Sequence, residues 1–114
     1  MRHIVTHKYR SMFDILESTR SAQAAMMTLR PGQSSSDDVV NEHPKAEQWL
    51  FVVAGSGRAV VGKRSVALKE GALLLIEKRE PHKITNTGRS RMITLNFYCP
   101  PAYTGGGDVK PAVK

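Results

Sequence analysis

The sequence predicts an all-β fold, either a barrel or a sandwich of short strands. Residues that favour strands occur in short runs, and nearly every run ends at a turn that contains Gly, Pro or Asn. Turns of two to five residues at near-regular spacing are typical of antiparallel β architectures. Only residues 9–20 offer a weak helical alternative, so helices contribute little to the predicted core.

Nine segments are predicted as strands, each because it is a short β-favouring run bounded by turn residues. In chain order they are residues 11–17, 22–29, 39–43, 48–54, 58–61, 65–68, 72–76, 82–86 and 91–98. The turns that separate them are marked by Pro31-Gly32, His43-Pro44, Gly55-Ser56-Gly57, Gly62-Lys63, Glu70-Gly71, Pro81, Thr87-Gly88 and Pro100-Pro101.

The length allows one domain, because 114 residues with 40% hydrophobic content supply a single core. We expect an N-terminal arm or strand over residues 1–20 and a barrel over residues 21–103. Residues 104–114 begin with Thr104 and three glycines and have little to bury, so they are predicted to be a flexible tail.

The charge and cysteine content exclude several classes of protein. The net charge of +7 would suit nucleic acid, but the basic residues are scattered and lack interleaved aromatic residues. A generally basic surface is therefore the preferred interpretation, and a small anionic ligand is compatible with it. No apolar run approaches the roughly 20 residues of a membrane span. Cys99 is the single cysteine, so the cytoplasm is the expected compartment.

Residues 48–53 and 73–76 are apolar on both strand faces. An antiparallel sheet with one face in water would alternate between apolar and polar residues. We therefore expect a second subunit to cover the outer face, which predicts a homodimer. The alternative is that a second sheet or a terminal segment of the same chain covers it.

Two segments carry the residues from which chemistry is expected. In chain order these residues are Asn41, His43, Gln48 and Gly55 in the first segment and Gly71, His82 and Asn86 in the second. Side chains two residues apart on a strand share a face, so Asn41 is expected beside His43. In a jelly-roll barrel these faces line the interior, and the polar cluster would lie above an apolar floor.

This pattern resembles the two-part signature of the cupin family over about residues 24–103. The first family motif contains His-x-His, then Glu and Gly, and the second contains Gly, Pro-x-Gly, His and Asn. Here Asn41 stands at the first histidine and Gln48 at the glutamate, while His43 and His82 match family histidines. In the second motif Glu77 and Arg79 replace the proline and glycine. The resemblance implies a cupin jelly-roll β-barrel.

The resemblance also implies a divalent transition metal, Zn, Ni, Fe or Mn. The implied ligands are His43, Gln48, His82 and Asn41. Two imidazoles suit these metals, and amide oxygens can complete a site, although the missing carboxylate lowers the attraction for a cation. The alternative is a metal-free pocket in which both histidines are hydrogen-bonded.

The resemblance leaves two functions open. The first is a metal-assisted enzyme of isomerase, cyclase or dioxygenase type, and the second is a non-catalytic small-ligand-binding protein. Tyr98 and Tyr103 are candidates for a proton donor at the pocket mouth, with packing as the commoner role. Strand alternation predicts that Glu42, Glu47 and Trp49 point away from the pocket.

Overall fold

The computed structural model describes residues 1–104 and contains almost entirely β structure. A single 3-10 turn spans Thr6–Lys8. The strands are β1 (Phe13–Ser18), β2 (Gln23–Leu29), β3 (Glu47–Ala54), β4 (Gly57–Val61), β5 (Arg64–Leu68), β6 (Leu73–Ile76), β7 (His82–Asn86) and β8 (Met92–Cys99). No helix within residues 1–104 is long enough and apolar enough to cross a membrane.

The strands form two antiparallel sheets that face each other. The larger sheet has the order β1-β2-β8-β3-β6, and the smaller sheet has the order β5-β4-β7. Because β8 lies between β2 and β3, its side chains are flanked by two strands that are distant in sequence. The all-β jelly-roll prediction is confirmed.

Alternation along β3 explains how the larger sheet builds the core. Leu50 and Val52 point inward and are fully buried, whereas Trp49 and Phe51 point outward and are exposed. Strands β7 and β8 alternate in the same way, so that every second residue points into the core. The main core cluster consists of Met27, Leu29, Leu50, Val52, Ala59, Leu68, Ile76, Ile84 and Met92.

The predicted strand over residues 39–43 is wrong. Within this segment only Val40 pairs, in an isolated bridge with His82, and its N–H and C=O both bond to the His82 backbone. Asn41 explains why the ladder stops, because its side-chain Oδ1 accepts the N–H of His43 at 3.1 Å. A short polar side chain that bonds to nearby backbone competes with strand pairing in this way. The other eight predicted strands are present, with each end within two residues of its predicted position.

Gly55 makes the tight connection between β3 and β4. Its φ of 84° lies in the left-handed region, which glycine enters without steric cost. A Cβ placed there would meet the carbonyl oxygen of Arg91 and lie 2.9 Å from the Cα of Met92. Any residue other than glycine at position 55 would therefore have both an unfavourable backbone conformation and a steric clash.

The chain beyond β8 returns to the barrel and is held by one glutamine. Gln23 Oε1 accepts the N–H groups of Ala102 and Tyr103 at 3.2 and 3.0 Å, and Gln23 Nε2 donates to the Tyr103 carbonyl at 2.8 Å. Gln23 is itself buried, so these bonds are shielded from water. Of the tail predicted over residues 104–114, all but Thr104 lies outside the described residues.

Candidate metal and ligand site

A cavity of about 210 Å³ opens between the two sheets at one end of the barrel. Strands β2, β3, β7 and β8 each contribute to its wall, and Tyr103 closes one side. The lining residues are Met12, Phe13, Met27, Ser35, Glu42, Gln48, His82, Ile84, Tyr98 and Tyr103. The cavity therefore combines an apolar floor with a few polar groups, as small-molecule sites do.

His43 lies behind this lining and is 4% exposed. Its ring centroid lies 4.9 Å from those of both His82 and Tyr98. Its Nδ1 lies 3.1 Å from the carbonyl oxygen of Ala46, which can only accept, so Nδ1 carries a proton. The other ring nitrogen, Nε2, lies 2.9 Å from Oε1 of Gln48.

A chain of buried amides sets the orientation of Gln48. The Thr94 carbonyl oxygen can only accept, so Asn96 presents Nδ2 to Thr94 and Oδ1 to Gln48. Gln48 Nε2 then donates to Asn96 Oδ1 at 2.8 Å. As a result Gln48 presents its carbonyl oxygen, not its amide nitrogen, to His43.

This arrangement leaves two acceptors facing each other when the His43 ring is neutral. The Nε2 lone pair of His43 and the Oε1 lone pairs of Gln48 are 2.9 Å apart, and both side chains are buried. Buried polar atoms need a partner, so a positive charge is favourable here. Either a proton on Nε2 or a metal cation satisfies that requirement.

His82 opens β7 and lies in the cavity wall, 7% exposed. Its Nδ1 lies 2.9 Å from the Glu80 carbonyl oxygen, so this nitrogen donates and Nε2 keeps its lone pair. Burial lowers the pKa of His82, and the neighbouring His43 lowers it further, while the Glu80 carbonyl acts in the opposite direction. The ring is neutral at pH 7, the state that a metal ligand requires.

Three of the four predicted ligands therefore meet at one place. The structure brings together His43, His82 and Gln48: the two histidine ring centroids lie 4.9 Å apart, and Gln48 Oε1 lies 2.9 Å from His43 Nε2. The expectation that Asn41 shares a strand face with His43 is wrong, because residues 39–43 form no strand. The Asn41 Oδ1 instead accepts a hydrogen bond from the His43 N–H. Its Nδ2 is buried without a hydrogen-bond partner in the described structure.

The donor set contains no carboxylate. Within residues 1–104, no group of three or more His, Cys, Asp or Glu side chains is placed to hold a metal ion. The two imidazoles and the oriented amide oxygen fit a divalent transition metal in type, since imidazole suits Zn, Fe and Ni. The missing negative charge makes the expected affinity lower than that of a carboxylate-containing site.

Two tyrosines form the side of the cavity next to His43. Tyr98 and Tyr103 pack edge to face with their ring centroids 4.9 Å apart. Burial raises the pKa of both phenols, and for Tyr103 the Glu42 carboxylate raises it further. Both hydroxyls are protonated at pH 7, and a hydrogen bond links them, so one of the two protons is left to donate elsewhere.

Glu42 corrects one of the sequence expectations. It was expected to point away from the site, but it lines the cavity and acts on both tyrosines. Strand alternation does not apply to it, because it lies in the irregular segment before β3. Glu47 and Trp49 do lie on the outer face as predicted, and the Trp49 indole N–H donates to Glu47.

The family match includes His43, Gln48 and His82. The cupin domain model matches residues 25–98, from the middle of β2 to near the end of β8. The chain belongs to the cupin family. Within this cupin the last motif residue, Asn86, is structural: its Nδ2 donates to the carbonyls of Leu29 and Ser90, and its Oδ1 accepts from Gly88 N–H.

Solved structures share the fold at low sequence identity. A Bacillus halodurans protein, BH2720, has a TM-score of 0.80 at 24% identity, covering 91% of this chain and 80% of its own. KdgF from a Halomonas species has a TM-score of 0.76 at 13% identity, covering 89% and 94%. A predicted oxalate decarboxylase from Thermotoga maritima has a TM-score of 0.69 at 22% identity, covering 78% and 79%. No protein of curated function has a sequence that matches this chain.

Sequence reasoning missed Asn96 and Thr94, which orient Gln48. The sequence did contain a signal for them. Strand alternation over residues 92–98 places Thr94 and Asn96 on the inward face of β8, among side chains that are otherwise mostly apolar. Both are fully buried. Buried polar side chains on a core face are expected to be hydrogen-bonded to one another or to a site.

Proposed function

We propose that this cupin is a small-molecule enzyme assisted by a divalent metal ion. His43 and His82 would hold the ion through Nε2, and Gln48 would hold it through Oε1. The observation that carries the proposal is the orientation of Gln48, whose oxygen is turned towards His43 by the Asn96 amide. An acceptor oxygen turned towards the Nε2 lone pair of His43 supports the proposal, because a cation bound by both atoms would stabilise this arrangement.

A divalent ion in this position supplies Lewis acidity towards a substrate carbonyl or enolate oxygen. The chain contributes the remaining functions. Phe13, Met27 and Ile84 give the cavity an apolar wall, and displacement of water from it by a bound substrate would strengthen polar interactions inside. The hydroxyls of Tyr98 and Tyr103 are hydrogen-bonded to each other, which leaves one proton of the pair to be donated to a substrate oxygen.

The substrate class follows from size and charge. A cavity of about 210 Å³ admits only a small molecule. The net charge of +7 favours an anionic one, because the field of the whole protein raises the local concentration of anions. The reaction would be of the isomerase, cyclase or dioxygenase type.

Metal content tests the proposal directly. Tag-free protein purified without chelator is expected to carry or take up about one Zn, Ni, Mn or Fe ion per chain. His43→Ala and His82→Ala should each lose that stoichiometry, because each removes one nitrogen donor. His7→Ala is the matched control, since His7 is exposed in the N-terminal segment, and it should keep the metal. Elemental analysis after dialysis gives the measurement.

A metal-free ligand-binding function is the second candidate. It is favoured by the contact of both His43 ring nitrogens with oxygen atoms of the protein, which a protonated ring would satisfy without a metal. Unmodified protein that contains no metal and takes up none of the four ions would establish this second function over the first.

We also propose that the cupin is a homodimer formed through the outer face of the larger sheet. This face is continuous and apolar: Trp49 pairs across the ladder with Phe97 on one side and Leu75 on the other, and Phe51 pairs with Leu95 and Leu73. The exposed members are Trp49, Phe51, Val53, Leu73, Leu75 and Phe97.

A second copy is the occupant that fits this face. None of the six exposed side chains is charged, although the chain carries 17 Lys and Arg, so two copies can approach here without direct repulsion. An isologous interface places the same patch on both partners, and a standard one buries about 800 Å² on each with an apolar centre. The face supplies that centre.

Phe51→Lys is expected to convert a dimer into the 12.6 kDa monomer, because the two-fold axis brings two copies of the new charge together. Sedimentation velocity at micromolar concentration gives the measurement. Val66→Lys adds the same charge at an exposed position on β5 in the smaller sheet and should leave the dimer intact. A 12.6 kDa species for the unmodified protein would overturn the proposal.

The cytoplasmic location and the absence of nucleic-acid binding stay predictions.

A further inference from the structure

A second cleft, of about 250 Å³, lies beside the ends of β2 and β8. It is separate from the histidine cavity, although Met12 lines both. Its lining residues are Arg10, Met12, Thr28, Arg30, Gln33 and Arg91. The lining thus holds three positive charges and no acidic residue.

The register of the sheet places two of these charges side by side. Leu29 at the end of β2 pairs with Met92 at the start of β8, so Arg30 directly follows this pair on one chain segment and Arg91 directly precedes it on the other. Like charges opposite each other on adjacent strands destabilise a sheet. Within residues 1–104, neither Arg30 nor Arg91 forms an ion pair with a carboxylate. The unfavourable juxtaposition would be relieved by an anion.

The other polar groups of the cleft are also available as donors. Gln33 Oε1 accepts the backbone N–H of Arg30 at 2.9 Å, which leaves the Gln33 NH₂ group to donate. Arg10 Nη1 donates to the carbonyls of Thr6 and Tyr9 at 3.0 and 2.9 Å, and these bonds hold its guanidinium at the cleft.

Thr28 provides an independent observation. It lines the cleft and is 5% exposed, and its Oγ1 is buried without a hydrogen-bond partner in the described part of the chain. A buried hydroxyl without a partner is unfavourable, and native structures rarely retain one without a reason. A ligand atom that accepts from this hydroxyl after a rotation about χ1 would supply the missing partner.

We propose that this cleft binds a phosphate group. Guanidinium groups bind phosphate oxygens through two parallel N–H···O bonds, and Arg30 and Arg91 stand next to each other at the rim. The Gln33 amide and Thr28 hydroxyl add neutral donors to the same ligand. The volume accommodates inorganic phosphate or the phosphate end of a small phosphomonoester. The site acts independently of the His43–His82 cavity.

Titration in phosphate-free buffer tests the proposal. Inorganic phosphate and glycerol phosphate, added separately up to about 10 mM and followed by calorimetry, are expected to bind with millimolar or tighter affinity. Tighter binding of the ester would identify a phosphomonoester as the preferred ligand, and equal binding would identify the free anion. Binding of neither at that concentration would overturn the proposal.

Variants distinguish a built site from general positive charge. Arg30→Gln and Arg91→Gln should each weaken phosphate binding by about tenfold or more, and Arg91→Lys should restore only part of it because the two-bond geometry is lost. Lys63→Gln removes the same charge at the exposed β4–β5 turn and should change binding by less than about twofold. An equal loss in Lys63→Gln would overturn the proposal.

Thr28→Val tests the contribution of the hydroxyl. It should weaken phosphate binding while leaving the melting temperature of the ligand-free protein unchanged or raised, because it removes a buried group without a partner. Metal content at His43 and His82 should be unaffected in all these variants, so the result is independent of the metal proposal. A long single-stranded DNA that binds in preference to both phosphate probes would instead identify a nucleic-acid surface and contradict the small-ligand site.

Discussion

Gly55→Ala is expected to destabilise the protein by about 3 kcal/mol or more, one of the largest effects of any single substitution. Two costs combine at this position. The φ of 84° is unfavourable for a residue with a Cβ, and the new Cβ would meet the backbone of Arg91 and Met92. Both obstacles are backbone atoms at the start of β8 or directly before it, so relief requires moving the beginning of a central strand of the larger sheet.

Gly71→Ala is the matched control for this prediction. Gly71 has nearly the same backbone angle, with a φ of 87°, but a Cβ there would meet nothing within 4 Å. Its cost should be the conformational one alone, about 1 kcal/mol. Urea unfolding of the three proteins measures the difference. Equal midpoints for the two variants would contradict the assignment of the larger cost to the close approach of β8.

Gln48→Glu is expected to raise the affinity for a divalent metal by about tenfold to hundredfold, because it places a negative charge at the oxygen that faces His43. In the metal-free protein the same change should cost about 1–3 kcal/mol, since a carboxylate oxygen would face the Asn96 oxygen in place of an N–H. Added metal should therefore stabilise this variant more than it stabilises the unmodified protein.

Competition with a chelator and thermal unfolding, each with and without Zn or Ni, give the two measurements. Thr87→Glu adds the same charge at an exposed turn and serves as the control, with unchanged metal affinity. Asn96→Leu should act in the opposite direction, lowering the affinity by about tenfold to hundredfold by releasing Gln48. A Gln48→Glu variant with no greater affinity would indicate that this oxygen does not face a cation.

The strand pattern could be predicted because alternation and turn residues act locally. In β3 the buried and exposed residues follow the period of two throughout, from Gln48 to Val53. The segment 39–43 has similar β-favouring residues but is not a strand. Its outcome depends on one side-chain bond, from Asn41 to the His43 N–H, which strand propensity does not register.

The site could be predicted in part. The positions of His43, Gln48 and His82 follow from the spacing of the family motif, because each lies at or near the start of a strand at the same end of the barrel. The contribution of Asn96 could not be obtained in this way, since it depends on the pairing of β8 with β3 rather than on closeness in sequence. Glu42 was misplaced for a related reason: an irregular segment has no period from which to assign a face.

The attachment of residues 102 and 103 by Gln23 has a consequence for how this barrel can diversify. One wall of the cavity is a short terminal stretch fastened by three hydrogen bonds to a single side chain, not part of a ladder. The sequence of this wall can therefore change independently of the two sheets. Grafting a different sequence onto the end of β8, while keeping two backbone N–H groups and a carbonyl for Gln23, would reshape the chamber and leave the framework of both sheets untouched.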